Sequence, residues 1–175
     1  MKLSVDFIDP YERHKHRIWQ QLKFYAITST IVNLILLVAI FTMARAEEID
    51  LNIISKIESS DNPLAYNRIS QARGLYQITP ICLEDYNNAH PTTTIALNSL
   101  YNPQVARKVA TWYITRLKQI MAKNGISCQI SHILISYNWG IGNFLKWHKA
   151  GGNFNNLPKE TQNYILKYQK LARAK

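Results

Sequence analysis

The sequence lacks the motifs of several common enzyme classes. Its 175 residues contain no Gly-x-Gly-x-x-Gly run and no phosphate-binding loop, which argues against nucleotide chemistry. The five histidines show no HExxH spacing, and the two cysteines, Cys82 and Cys128, occur in no zinc-ligand pattern. We therefore expect neither a metal nor a cofactor. The cysteines could form one disulfide in an exported domain and would stay thiols elsewhere.

Acidic residues are also scarce. The chain has 11 acidic and 21 basic side chains, a formal net charge of +10. Such an excess favours a polyanionic partner, which could be nucleic acid, an anionic membrane or a cell wall. No helix-turn-helix or RNA-recognition signature accompanies the charge, so we expect no nucleic-acid partner.

One long segment has no charge at all. Residues 24–44 form a run of 21 uncharged, mostly apolar residues, about 31 Å long as a helix, which matches a bilayer. Lys23 and Arg45 bracket it, and residues 1–23 are rich in basic side chains. The positive-inside rule then predicts a cytoplasmic segment at 1–23 and a transmembrane signal anchor at 24–44. Residues 47–175 would lie outside the cytoplasm, held at the inner membrane by this single pass.

A cleaved signal peptide is the alternative for the same segment. Ala44-Arg45-Ala46 fits a small-x-small cleavage site, and cleavage at Ala46 would release the domain into the periplasm. Both interpretations export residues 47–175. This part has 15 basic and 8 acidic residues, a net charge of +7.

The exported part reads as mainly α-helical, because strand-like alternation is scarce. Asp50 is a suitable N-cap for a first helix with apolar residues at Ile53, Ile54 and Ile57. Asn62-Pro63 ends this helix. An irregular loop with a minor β element is predicted over residues 64–74.

Further helices follow this loop. In the helix that starts near Pro80 we expect Ile81 and Leu83 to face inward. Asn102 is a good N-cap for the next helix, which starts at Pro103. Four helices are predicted here. The first begins near Pro80, the second runs from Pro103 to about Lys123, the third covers 129–139 and ends at Gly140, and the last begins around Glu160.

Glu58 is the candidate for chemistry. It stands at the end of an apolar helix, and no basic residue lies three or four positions away, where a partner on the same helix face would be. Partial burial would disfavour its charged form and raise its pKa, so that the carboxyl could hold a proton near neutral pH. A general acid for glycosidic bond cleavage needs this property. Asp61, the nearest other carboxylate, reads as a turn residue.

The order of short motifs around Glu58 is specific. "ESSDNP" is followed by "ARGLYQITP", "LYNP", "SYNWGIG" and "LPKETQNYI". This set resembles the transglycosylase SLT domain family, the lytic transglycosylases with a goose-type lysozyme-like fold. The resemblance covers nearly all of residues 48–170, and it implies a lysozyme-like helical domain.

The resemblance implies roles for individual residues. Glu58 corresponds to the catalytic acid/base of the family. Tyr76 stands where the family usually has methionine, so that it could stack on a sugar, and Trp139 replaces a small residue. The residues that would contact substrate are Ser59, Tyr76, Gln77, Tyr137, Asn138 and Tyr164.

The activity implied is lytic cleavage of peptidoglycan between N-acetylmuramic acid and N-acetylglucosamine, with a 1,6-anhydro product. The alternatives are a hydrolytic goose-type lysozyme and a non-catalytic peptidoglycan-binding assembly protein. A membrane-lesion protein acting through residues 24–44 is a third. The expected partners are glycan strands and, through residues 24–44, the membrane. Wall opening by a secretion, conjugation or phage assembly fits this activity, as does general turnover.

Overall fold

The computed structural model of the chain describes residues 10–43 and 48–174, which are mostly helical. The chain divides into two compact units, Met1–Ala46 and Glu47–Lys175.

The first unit contains one helix, α1, at Pro10–Met43. Within the described residues, no helix is both long enough and apolar enough to cross a membrane. The transmembrane helix predicted at 24–44 is therefore not supported. The end of that segment, Ala44, and the suggested cleavage position, Ala46, lie outside the described residues.

The second unit contains six α-helices and two short 3₁₀ segments among its described residues. The 3₁₀ segments are Leu97–Tyr101 and Phe154–Asn156. The helices are α2 at Leu51–Ser59, α3 at Pro80–Ala89, α4 at Pro103–Lys123, α5 at Ile130–Trp139, α6 at Ile141–Lys149 and α7 at Lys159–Arg173. The mainly helical prediction is confirmed.

Helix α2 begins as the sequence predicts and carries the candidate acid at its far end. The Asp50 carboxylate accepts a hydrogen bond from the Asn52 N–H at 2.8 Å, which caps the helix. Ile53 and Ile54 are buried, and α2 packs against α4 and α7. The helix ends where Ser60 adopts a left-handed conformation with φ 55°.

Helix α4 forms the centre of the core. Asn102 caps it by accepting hydrogen bonds from the Gln104 and Val105 N–H groups, as predicted. Val109, Leu117 and several other side chains of this helix are fully buried. Helices α2, α3 and α5 all pack against α4, so that α4 supports the two helices that carry Glu58 and Tyr137.

The loop between α2 and α3 contains the minor β element. Arg73 forms isolated antiparallel bridges with Tyr66 and with Ile78, and no longer strand occurs in the part of the chain that the structure describes. The Gly74 N–H donates to the Ala65 carbonyl at 2.9 Å. These hydrogen bonds hold the loop in a compact conformation next to the C-terminal end of α2.

Helix α3 differs from its prediction at one face. Leu83 is buried as expected, but Ile81 is 73% exposed, so its predicted inward position is wrong. Pro80 starts the helix, and the buried face is formed by Cys82, Leu83 and Tyr86 instead. Both cysteines are free thiols, Cys82 buried and Cys128 exposed.

Candidate active site

A groove of about 520 Å³ opens beside the C-terminal end of α2. The loop 67–79, the end of α5 and helix α7 form its walls together with the end of α2. The side chains that line it are those of Ile57, Glu58, Asn67, Ser70, Ala72, Gln77, Thr79, Tyr137, Asn138, Glu160, Asn163, Tyr164 and Lys167. The groove is mainly polar, which suits a hydroxyl-rich ligand.

Glu58 lies in the wall of this groove in contact with α7. The Tyr164 hydroxyl donates a hydrogen bond to Glu58 Oε1 at 2.8 Å. The contact joins residues 106 positions apart, and it forms because α2 and α7 pack against each other. One carboxyl oxygen is therefore held by Tyr164, which leaves the other oxygen to meet a ligand.

The surroundings of Glu58 favour its protonated form. Burial raises the pKa of Glu58 from its ordinary 4.5 to about 7. The hydrogen bond from Tyr164 acts against this shift, and the negative charge of Glu160 adds to it. A substantial fraction of Glu58 therefore holds a proton at neutral pH, as the sequence argument expects.

Two tyrosines next to Glu58 stay neutral. Burial, followed by the nearby Glu58 charge, raises the pKa of Tyr137 and of Tyr164 well above 10. The Tyr137 hydroxyl donates to the Tyr76 backbone carbonyl at 2.8 Å, and its ring packs edge-on against Tyr113. Tyr137 therefore connects α5 to the loop wall of the groove.

Gln77 reaches the groove through an unusual backbone conformation. Its φ is 45°, in the left-handed region that non-glycine residues seldom adopt. Its side-chain amide donates to the Gly74 carbonyl at 3.1 Å, and this hydrogen bond stabilises the turn from Gly74 to Gln77. Such strain persists only where surrounding contacts maintain it, and it often occurs at ligand sites.

Asn138 is oriented by a buried partner on α7. The Thr161 hydroxyl donates to Asn138 Oδ1 at 2.7 Å, and Thr161 is only 1% exposed. This bond fixes the amide so that its NH₂ group is available to donate into the groove. Asn138 thus joins Glu58, Gln77, Tyr137 and Tyr164 in one site.

Ser59 and Tyr76 are not brought into the groove. The Ser59 hydroxyl lies near the Ser55 and Leu75 carbonyls at 3.0 and 2.9 Å, which ties the end of α2 to the loop. Tyr76 is 3% exposed, and its hydroxyl accepts a hydrogen bond from Arg107. The predicted stacking of Tyr76 on a sugar is not supported by this buried position.

Two other residues singled out in the sequence also lie outside the groove lining. Trp139 is half-buried against the hydrophobic core. The Asp61 carboxylate accepts a short hydrogen bond from the Ser55 hydroxyl, and Asp61 has φ 62°. Asp61 is thus a turn residue engaged with α2, and it does not supply a second carboxylate to the site.

Several lining residues are not predicted from the sequence, and of these Glu160 and Lys167 are charged. A signal was present. Three residues follow Glu160 at intervals of three, four and seven positions: Asn163, Tyr164 and Lys167. This spacing places all four on one face of a helix, the face of the predicted Tyr164. Among the described residues, no cluster of His, Cys, Asp and Glu is arranged to hold a metal ion.

Comparison with known proteins gives one clear result. The model of the family described as "Transglycosylase SLT domain" matches residues 40–158, which are 119 of the 175 residues. No curated protein matches the sequence with significant similarity. Since the match covers more than half of the chain and includes Glu58, Gln77 and the Tyr137-Asn138 pair, this chain belongs to the transglycosylase SLT domain family, whose members cleave the glycan of peptidoglycan.

Proposed function

We propose that this protein is a peptidoglycan lytic transglycosylase that cleaves the β-1,4 bond between N-acetylmuramic acid and N-acetylglucosamine. The observation that carries the proposal is Glu58, a carboxyl with a pKa of about 7 held by Tyr164 in a polar groove. A single acid of this kind can donate a proton and then accept one.

The reaction proceeds in two steps on the same side chain. Glu58 first donates its proton to the glycosidic oxygen, and the bond from that oxygen to the muramic acid anomeric carbon breaks. The substrate's own N-acetyl group stabilises the positive charge at that carbon. Ionised Glu58 then takes the proton of the muramic acid C6 hydroxyl, whose oxygen bonds to the anomeric carbon. The product is a 1,6-anhydro sugar, and no water is consumed.

The neighbours of Glu58 suit both steps. Tyr164 donates to Oε1, so the proton to be transferred resides on the other carboxyl oxygen. Tyr164 and Tyr137 remain neutral hydroxyls because the pKa of each lies well above 10. We infer that Gln77 and the Asn138 amide hold the sugar next to Glu58, since both line the groove with fixed side chains.

A hydrolytic muramidase is the second candidate, and Glu160 is the observation that favours it. Glycosidases normally use two carboxylates, one of which can activate a water molecule. Glu160 is a second carboxylate in the same groove. In that case the product would carry a reducing end, because water and not the C6 hydroxyl would attack the anomeric carbon.

The two candidates differ in the mass of their products. We expect residues 47–175, incubated with purified peptidoglycan, to release muropeptides that are lighter by one water than the hydrolytic products. Mass spectrometry of the soluble fraction measures this difference directly. Release of reducing-end products alone would reject the transglycosylase proposal and favour Glu160 as a base.

The pH dependence of the reaction is expected to depend on Glu160. Because the first step needs protonated Glu58, activity should fall as the pH rises through about 7. Glu160→Gln removes the negative charge that helps to raise the Glu58 pKa. The alkaline limb of the profile should then move to lower pH by a few tenths to about one unit. Rates at pH 5 should change little.

Glu84→Gln is the matched control for this experiment. Glu84 is an exposed carboxylate on α3 that does not line the groove, so its removal should leave the profile in place. A loss of activity at every pH in Glu160→Gln, with no shift of the limb, would contradict the electrostatic role. That outcome would place Glu160 in the chemical step.

The substrate also determines the compartment. We propose that residues 47–175 act outside the cytoplasm, because peptidoglycan lies there, and that the uncharged run 24–44 directs their export. The net charge of +7 in this part supports the proposal, since stem peptides of peptidoglycan carry carboxylates that a basic surface attracts.

A further inference from the structure

Helix α7 contributes charges of opposite sign to the groove. Glu160 and Lys167 both line it, and Tyr164 lies between them on the same face of the helix. With a rise of 1.5 Å per residue, Glu160 stands about 6 Å before Tyr164 along the axis and Lys167 about 4.5 Å after it. Along α7, an acidic and a basic side chain therefore flank Tyr164, which is the residue that holds Glu58.

Lys167 has no partner of its own in this arrangement. It is exposed, and it makes no ion pair or hydrogen bond with another described residue. Among the described residues that line the groove, it alone carries a positive charge. A lysine is a mobile point charge that can reach an anionic ligand without rearrangement of the backbone.

The sugars of the glycan are uncharged, so they give such a lysine nothing to pair with. The charge of the substrate lies in the peptide attached to the lactyl group of N-acetylmuramic acid, which carries carboxylates. A carboxylate of this peptide is therefore the group of the substrate with which a cation in the groove can pair.

We propose that Lys167 binds a carboxylate of the peptide on the muramic acid and thereby makes the enzyme prefer peptide-bearing glycan to bare glycan. This inference rests on the proposed function of the groove. The pairing also orients the glycan strand in the groove, because the peptide-bearing side of the muramic acid then faces Lys167 and lies away from Glu160. Lys167 is then a specificity residue and takes no part in the proton transfers at Glu58.

The test compares two substrates and three variants of the full chain. The substrates are glycan strands that retain their peptides and the same strands stripped by an amidase. Lys167→Gln is expected to lower kcat/KM about fivefold on the peptide-bearing strands, a typical effect of one partly exposed ion pair. It should leave kcat/KM on stripped strands within twofold. Lys167→Arg keeps the charge and should restore the preference.

Lys170→Gln is the matched control, since Lys170 is an exposed lysine on the same helix that does not line the groove. It should behave as the wild type on both substrates. Raised ionic strength should reduce the wild-type preference and leave that of Lys167→Gln unchanged, because salt screens exposed pairs. An equal loss on both substrates, or no loss, would overturn the inference. No anhydro product from the wild type on either substrate would instead reject the proposed function.

Discussion

Replacing Glu58 by glutamine is expected to reduce the release of anhydro-muropeptides by about 10³-fold or more. The change keeps the shape of the side chain and its ability to accept the Tyr164 hydrogen bond at Oε1. It removes the proton that the first step transfers and the base that the second step needs. Soluble product from purified peptidoglycan, measured against time, gives the residual rate.

The same substitution should leave the fold intact and change its response to pH. A carboxyl whose pKa rises from 4.5 to about 7 on folding contributes most to stability below pH 4.5. This contribution is lost as the pH rises through 7. Glutamine does not ionise, so Glu58→Gln should gain stability relative to the wild type between pH 5 and 8, by roughly 2 kcal/mol. Urea unfolding at both pH values measures the change.

Full activity of Glu58→Gln would contradict this prediction. Glu84→Gln, a change of the same kind on the exposed face of α3, should retain the full rate. If Glu58→Gln also retained it, another group would be the acid, and a purely binding role for the groove would become the better explanation. Loss of activity together with unchanged binding of glycan strands is the pattern that supports the proposal.

Local signals in the sequence were sufficient to predict most helices. Asp50 and Asn102 accept hydrogen bonds from the first N–H groups of α2 and α4, and Pro103 begins α4 where expected. Such caps act over three or four residues, so a sequence reveals them without knowledge of the tertiary fold. Helix α6, Ile141–Lys149, was not predicted, and it begins directly after Gly140 with no side-chain cap.

The directions of side chains were harder to predict, because they depend on contacts between distant segments. Tyr76 and Gln77 are adjacent in one motif, yet Tyr76 is buried against the core and Gln77 lines the groove. The left-handed φ of Gln77 helps to separate them. The Tyr164–Glu58 contact joins residues 106 positions apart, and no local pattern in a sequence links residues at that separation.

Gly74→Ala is expected to be the most destabilising single substitution near the site. A Cβ at position 74 would lie 2.1 Å from the Leu100 carbonyl oxygen, far inside van der Waals contact. Both atoms belong to or adjoin backbone, so no rotamer change can relieve the clash. Gly74 also has φ 74°, where a side chain adds strain of its own. Together these effects should cost about 3 kcal/mol or more.

Gly125→Ala separates the two causes. Gly125 has a similar φ of 68°, but nothing lies within 4 Å of the Cβ that alanine would add. Its cost should therefore be the conformational strain alone, about 1 kcal/mol. Urea unfolding of the two variants against the wild type measures the difference. If Gly74→Ala cost no more than Gly125→Ala, the close approach of the loop to Leu100 would not exist in solution.

The consequence for activity follows from what Gly74 supports. Its carbonyl accepts hydrogen bonds from both the Gln77 N–H at 3.2 Å and the Gln77 side-chain amide at 3.1 Å. A clash with Leu100 would displace this turn and, with it, the Gln77 side chain that lines the groove with Glu58. We therefore expect Gly74→Ala to lose most of its glycan cleavage even at temperatures where it remains folded, whereas Gly125→Ala, at the distant end of α4, should retain activity.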